Sequence, residues 1–346
     1  MSENLKKRNS NIKLLRIVSM LMILVLHLDF KTLGAPNAQD CALFPIQSFS
    51  KIFFEMLCIS SANLFVFISG WFGINFKFKG FCKFLFQCIF ILVFVFGIGI
   101  ILGYTNISTI RDLLFVNAWF AVCYLFLYII APVLNSFCEN YSRKSIGTFL
   151  IFFYLFQTLF GNSNCFIYEG YSTFSFMGIY ILARYLRLYG HKYYKYGLPL
   201  YILSIVLLIL MYYLPAATHK MIGIAHFAMR YTCPFNITAC AGLIMWVGTL
   251  RSRSNKIIDF FAASAFSVYL AQDCVTWSLN MFQNISLQIF NDYSGFLYLL
   301  IIFIFIICVY LIATIIDQLR ILVWNKISMF IPDLIFFNKQ RSSIHR

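Results

Sequence analysis

The apolar positions of this chain fall in long runs, not in the alternating or every-third-residue patterns of half-buried soluble elements, and the runs recur from end to end. Each is about 20 residues long, the length a helix needs to cross the hydrocarbon of a bilayer. About ten can be marked, at roughly 12–30, 52–76, 84–104, 117–138, 147–162, 172–188, 197–214, 230–250, 257–280 and 295–317. Only helices and closed barrels satisfy their backbone in lipid, so the pattern predicts an all-α, polytopic membrane protein of about ten transmembrane helices. The longest connection, 31–51, holds about twenty residues. The chain 1–346 therefore reads as a single transmembrane domain with short tails at about 1–11 and 318–346.

Composition agrees: 61% of residues are hydrophobic and 11% charged, against about 45–50% and about 25% in a soluble domain. The net charge of +15 would suggest nucleic acid in a soluble chain. Its placement gives a different meaning. With the N-terminus inside, the inner segments hold 22 Lys and Arg, and the outer ones hold 5 (Lys31, Lys51, Arg111, Lys220 and Arg230). Such an excess marks cytoplasmic loops, so both termini are expected in the cytoplasm and no nucleic-acid partner is indicated. The 11 cysteines include no Cys-x-x-Cys pair, which leaves no zinc or redox motif; no metal or bound cofactor is expected. The basic start and first apolar run resemble a signal peptide, but Arg16, His27 and Asp29 interrupt that run.

Polar residues inside the runs carry the candidate chemistry. In the first run Arg16 and His27 are eleven residues apart. At about 100° per residue this places them on one helical face, separated by about 16 Å. Ionisable groups are costly in hydrocarbon, so an intramembrane His aligned with an Arg marks a candidate site. A neutral imidazole can accept a proton from a hydroxyl and return it to a leaving group. Arginine suits phosphate through its paired hydrogen bonds and permanent charge, and Arg184 and Arg187 form a second basic pair, one turn apart at an inner helix end. At the outer level, Asp29, Glu55, Asn117, Trp119, Gln272 and Asp273 suggest a polar cavity opening outward. Asp29 lies about 200° around the helix from His27 and cannot orient its ring.

These motifs resemble the acyltransferase-3 family of integral membrane acyltransferases. The resemblance rests on Arg16, ten residues and His27; on NLFVFISGWF at 63–72; and on NAWFAVCYLFLYIIAPVLN at 117–135. It also rests on Arg184-Tyr185-Leu186-Arg187 and on SAFSVYLAQD at 264–273, where Gln272 stands in place of the usual His. The family implies transfer of an acyl group, usually acetyl, from cytoplasmic acetyl-CoA to a hydroxyl, often on an extracytoplasmic glycan. The setting it implies is a multi-pass protein of the bacterial cytoplasmic membrane. His27 is then the catalytic candidate, by general base or through an acyl-histidine. Arg16, Arg184 and Arg187 are candidates for binding the acyl-CoA phosphates. Asp29, Glu55, Asn63, Trp119, Tyr124 and Gln272 are candidates for the cavity or acceptor site.

Each residue also has a plainer reading. His27 could be a core histidine bonded to a backbone carbonyl, the arginines could be interfacial anchors, and Trp119 and Tyr124 could belong to an interfacial aromatic belt. Ser69-Gly70 fits close helix packing better than a nucleophile, since no Gly-x-Ser-x-Gly elbow is present. The rival class is a glycan or small-molecule transporter or flippase, whose polar residues would line a path. A polysaccharide polymerase would want a larger outer loop. The acceptor's identity and any homo-oligomer are left open.

Overall fold

The computed structural model describes residues 10–106, 110, 117–163, 166–251 and 254–332. Of the basic residues in the orientation count, Lys6, Lys7, Arg8, Arg111, Arg253, Lys339, Arg341 and Arg346 lie outside the described residues. Among the described residues the fold is all helix. The helices are α1 Ser10–Leu28, α2 Ala38–Leu43, α3 Pro45–Cys58, α4 Ser61–Phe72, α5 Phe78–Ile101, α6 Trp119–Asn140 and α7 Arg143–Phe160. They continue with α8 Thr173–Tyr189, α9 Gly197–Thr218, α10 Ile222–Met229, α11 Pro234–Thr249, α12 Lys256–Asp273, α13 Thr276–Asp292 and α14 Gly295–Ile327.

Six of the described helices or continuous helix pairs are long and apolar enough to cross a membrane, and a seventh span results if one bent pair is counted. The expected ten therefore do not all qualify by length and composition, since α8 and α11 hold only 17 and 16 residues. Residues Ser61 to Trp71 of α4 are buried on every side, which marks it as a central helix. Close approach of α9 and α11 depends on Gly197 and Gly242, where a Cβ on either would run into the other helix's backbone.

Several boundaries depart from the sequence expectation. The stretch expected as a connection, 31–51, holds α2 and the start of α3, and the span expected at 52–76 is two helices, α3 to Cys58 and α4 from Ser61. The first run ends its α-helix at Leu28 and continues as a π-helical turn, Asp29–Leu33. The expected span 257–280 is not one helix: α12 stops at Asp273 and α13 leaves it at an angle of 87°. Hydropathy averaged over a span-length window does not register such a break, although the polar Gln272, Asp273 and Thr276 flank it. The tail expected from 318 is helical as far as Ile327, since α14 is 33 residues long.

That continuation changes the reading of Arg320, which the orientation count places among the cytoplasmic charges. It is 2% exposed. Its Nε and one terminal nitrogen donate to Asp317 at 2.7 and 3.0 Å. Asp317 in turn accepts from Ser267 of α12 at 2.5 Å, and Ser267 accepts from Gln87 of α5 at 2.7 Å. A charge pair removed from solvent needs such companions. An Asp and an Arg three residues apart share a helix face, so a paired, buried role was available from the spacing.

Asp317→Ala should leave the Arg320 guanidinium buried without its counter-charge, a loss of about 3–5 kcal/mol. A large drop in melting temperature of the detergent-purified protein is expected. The pair Asp317→Leu with Arg320→Met should recover most of it, and Lys326→Ala should have little effect.

Candidate functional site

α1 and α12 lie side by side and run in the same direction, joined by polar contacts at both ends. At one end Ser10 Oγ donates to Asp259 Oδ1 at 3.2 Å, and Lys13 Nζ pairs with the same oxygen at 2.7 Å. At the other, His27 Nδ1 lies 2.6 Å from Gln272 Oε1 and 3.7 Å from Asp273 Oδ1, while Lys31 pairs with Asp273. Lys31 follows His27 by four residues and so falls on its face. The π-helical turn is closed in part by Thr32, whose hydroxyl donates to the His27 carbonyl.

Both atoms facing Nδ1 are oxygens, which favours the tautomer with the proton on Nδ1. Nε2 is then the nitrogen with a lone pair, and no described residue hydrogen-bonds to it. Gln272 thus does for the ring what a hydrogen-bond acceptor must: it fixes its orientation and tautomer. Its own Nε2 is buried without a partner among the described residues.

His27 borders a cavity of about 300 Å³. Met20 and Ile23 continue its face along α1, and Arg16 lies on the extension of the same stripe. The rest of the wall is largely aromatic, including Trp119, Tyr171, Tyr231 and Tyr269, with Lys31 and Asp273 as its charged members. Such a mainly apolar wall with a few convergent polar groups is the usual form of a small-molecule site.

The sequence candidates divide by position. His27 and Trp119 line the cavity, and Gln272 holds His27 from behind. Asn63 is buried and donates to the Tyr231 carbonyl at 2.9 Å, so it positions a wall residue and does not itself face the space. Tyr124 also stands behind the wall, hydrogen-bonded to Ser69 at 2.8 Å and stacked on Phe120. Asp29 and Glu55 are buried away from the cavity lining, close enough to interact electrostatically, and Glu55 accepts from the Phe30 backbone N–H at 3.4 Å. Their place around α1 follows from the angular offset of Asp29. Sequence reading did not assign Lys31, Tyr171, Tyr231 or Tyr269 to the site. The spacing from His27 could have found Lys31; Tyr171 and Tyr231 sit at helix connections and carry no periodic signal.

The three arginines lie toward the opposite end of the bundle. Asn11, at the start of α1, donates to the Arg251 carbonyl at 2.9 Å, and Gly248 at the same end of α11 packs near Trp71. α4 therefore runs against α1, and its Trp71 end lies beside the Arg16 end. Arg187 sits over the Trp71 ring at 5.2 Å, and Arg184 packs against Gly73, whose φ of 77° favours glycine and where a Cβ would press on the guanidinium. The turn after α4 is held by Tyr180, which accepts from Ile74 N–H at 2.7 Å and donates to Asn135 at 2.8 Å; Asn135 also donates to the Ile74 carbonyl at 2.9 Å. Three separate sequence phrases, 63–72, 117–135 and 184–187, thus meet at one place. Arg184 Nε is buried there without a partner among the described residues. None of the three arginines lines the His27 cavity.

A family model described as an acyltransferase domain matches residues 9–316. No curated protein and no solved structure matches the chain. The matched region runs from the start of α1 into α14 and contains every residue of the His27 cavity and of the arginine cluster. On that match, with the motifs and helical architecture that agree with it, the chain belongs to the acyltransferase-3 family of membrane acyltransferases.

Proposed function

We propose that the protein is an O-acyltransferase that moves acetyl from acetyl-CoA, entering at the arginine end, to a hydroxyl of an extracytoplasmic glycan entering at the aromatic end. In this reading the arginine end faces the cytoplasm, as the excess of basic residues favours, and the protein sits in the bacterial cytoplasmic membrane. The observation that carries the proposal is His27, at the wall of a cavity, with Nδ1 held by Gln272 and Nε2 left to act.

Nε2 takes the proton of the acceptor hydroxyl as its oxygen attacks the thioester carbonyl. The carbon–sulfur bond breaks, the acetyl group remains on the glycan oxygen, and the thiolate recovers the proton from the imidazolium as free coenzyme A. Arg16, Arg184 and Arg187 supply charge for the donor's phosphates. The rise of about 16 Å between Arg16 and His27 suits a long pantetheine arm lying along the α1 stripe. Aromatic faces at the other end suit the C–H faces of a sugar ring, and Lys31 and Asp273 offer polar partners for its hydroxyls.

The first test is release of free thiol from acetyl-CoA by purified protein with glycan acceptor, which a transporter or flippase would not produce. His27→Ala should lower that rate by about 10²–10⁴-fold while the protein still accumulates in membranes, with a modest fall in melting temperature as the buried Gln272 loses its partner. Near wild-type turnover would remove His27 from the mechanism.

Two further variants separate orientation from donor binding. Gln272→Leu should lower kcat by about tenfold while leaving the KM for acetyl-CoA near wild type, since it loosens the imidazole and touches no phosphate site. Arg16→Ala should act mainly on that KM, raising it by about ten- to a hundredfold. An unchanged KM would refute the phosphate role.

A further inference from the structure

From the outer side of the cavity an aromatic path leads away from His27. Trp119 and Tyr171 line the cavity and also a neighbouring groove of about 480 Å³, whose other walls are Asn162, Tyr168 and Glu169. Ring centroids along the path are 6.0 Å apart from Tyr231 to Trp119, 4.5 Å from Trp119 to Tyr171, and 6.1 Å from Tyr171 to Tyr168. The two spaces are thus consecutive, with Trp119 and Tyr171 as the shared wall.

The loop that forms the far wall is held in a costly conformation. Phe166, Tyr168 and Glu169 adopt φ of 68°, 44° and 55°, a region L-residues with large side chains avoid. Backbone hydrogen bonds hold it there: Tyr168 N–H to the Ser163 carbonyl at 3.1 Å and Glu169 N–H to the Gly161 carbonyl at 2.8 Å. Glu169 is also tied to Arg230 by an ion pair of 3.2 Å. Strained residues of this kind persist where the surroundings over-determine them, and they gather at ligand clamps. The result presents a tyrosine that is 58% exposed beside a carboxylate and an amide.

We infer that this groove binds the sugar unit adjoining the one that is acylated, so that the acceptor is an oligosaccharide or polysaccharide chain and not a free monosaccharide. The inference rests on the glycan-acceptor reading above and adds a subsite to it. A ring face stacks on the exposed Tyr168, with Tyr171 at nearly a right angle to it closing one edge, and hydroxyls at the ring edge bond to Asn162 and to the Glu169 carboxylate. Paired with Arg230, Glu169 leaves the groove without a net charge, and its polar oxygens beside Asn162 suit the hydroxyls of an uncharged sugar better than an acyl tail.

The probe is native envelope polysaccharide used in two forms, intact and hydrolysed to monosaccharides, with labelled acetyl-CoA and the full-length purified protein. Wild type should acetylate the intact chain with the higher kcat/KM, and Tyr168→Ala should reduce the chain-to-monosaccharide ratio by about three- to tenfold. Tyr168→Phe, which keeps the ring, should hold the wild-type ratio. The ratio is read within one preparation, so loss of folded protein scales both terms alike. Equal use of both forms by wild type, or an unchanged ratio in Tyr168→Ala, overturns the subsite while leaving the acyltransfer reading intact. No labelling of either form overturns the glycan reading and the subsite together.

Discussion

Everything in the site depends on α1 and α12 keeping one register in a medium that does not forgive unpaired polar groups. The pair is tied at one end by Ser10 and Lys13 to Asp259, and at the other by His27 and Lys31 to Gln272 and Asp273. Sliding either helix by a turn would separate both sets at once and leave the buried Gln272 and Asp273 without their partners, which costs of the order of a few kcal/mol. Packing of Leu, Ile and Phe along the same interface would tolerate such a slide far better. The polar contacts therefore set position, and the apolar ones supply most of the contact area.

α12 is supported on a second side as well. Ser267 meets Asp317 of α14 and Gln87 of α5, while Gln272 and Asp273, further along, meet α1. One helix thus connects a buried ion-pair network with the imidazole, and it carries the phrase in which Gln272 departs from the usual residue of the family. At this position the chain supplies an amide oxygen that bonds the His27 ring. Asn63 and Tyr124 play a similar supporting part for the aromatic wall, one by gripping the backbone of Tyr231 and the other by stacking behind Phe120.

Much of this was legible in the order of residues. The membrane class follows from run length, and the shared face of Arg16 and His27 follows from helical pitch; Met20 and Ile23, which lie between them, do line the cavity. The exclusion of Asp29 from the ring's surroundings was also a matter of angle. What escaped was of two kinds. The break after Asp273 and the long reach of α14 leave no mark on hydropathy averaged over a span-length window, because such a window reads across a corner and does not see where a helix ends. The aromatic wall escaped because Trp119, Tyr171 and Tyr231 come from distant stretches, at helix starts and connections, and only packing brings them together.

The right-angled departure of α13 has one more effect. A helix that ran on through residue 280 would expose its final carbonyls far from His27. Because α12 stops at Asp273, the oxygen-rich end of its aligned peptide dipoles terminates beside the imidazole and the Lys31 ammonium. One of those carbonyls, that of Ala271, is occupied by the Ser278 hydroxyl from beyond the corner. The end of a helix carries roughly half an elementary negative charge. Were the imidazole to take up a proton, as the proposed reaction requires, the resulting cation would find that field already in place, with no rearrangement needed to create it.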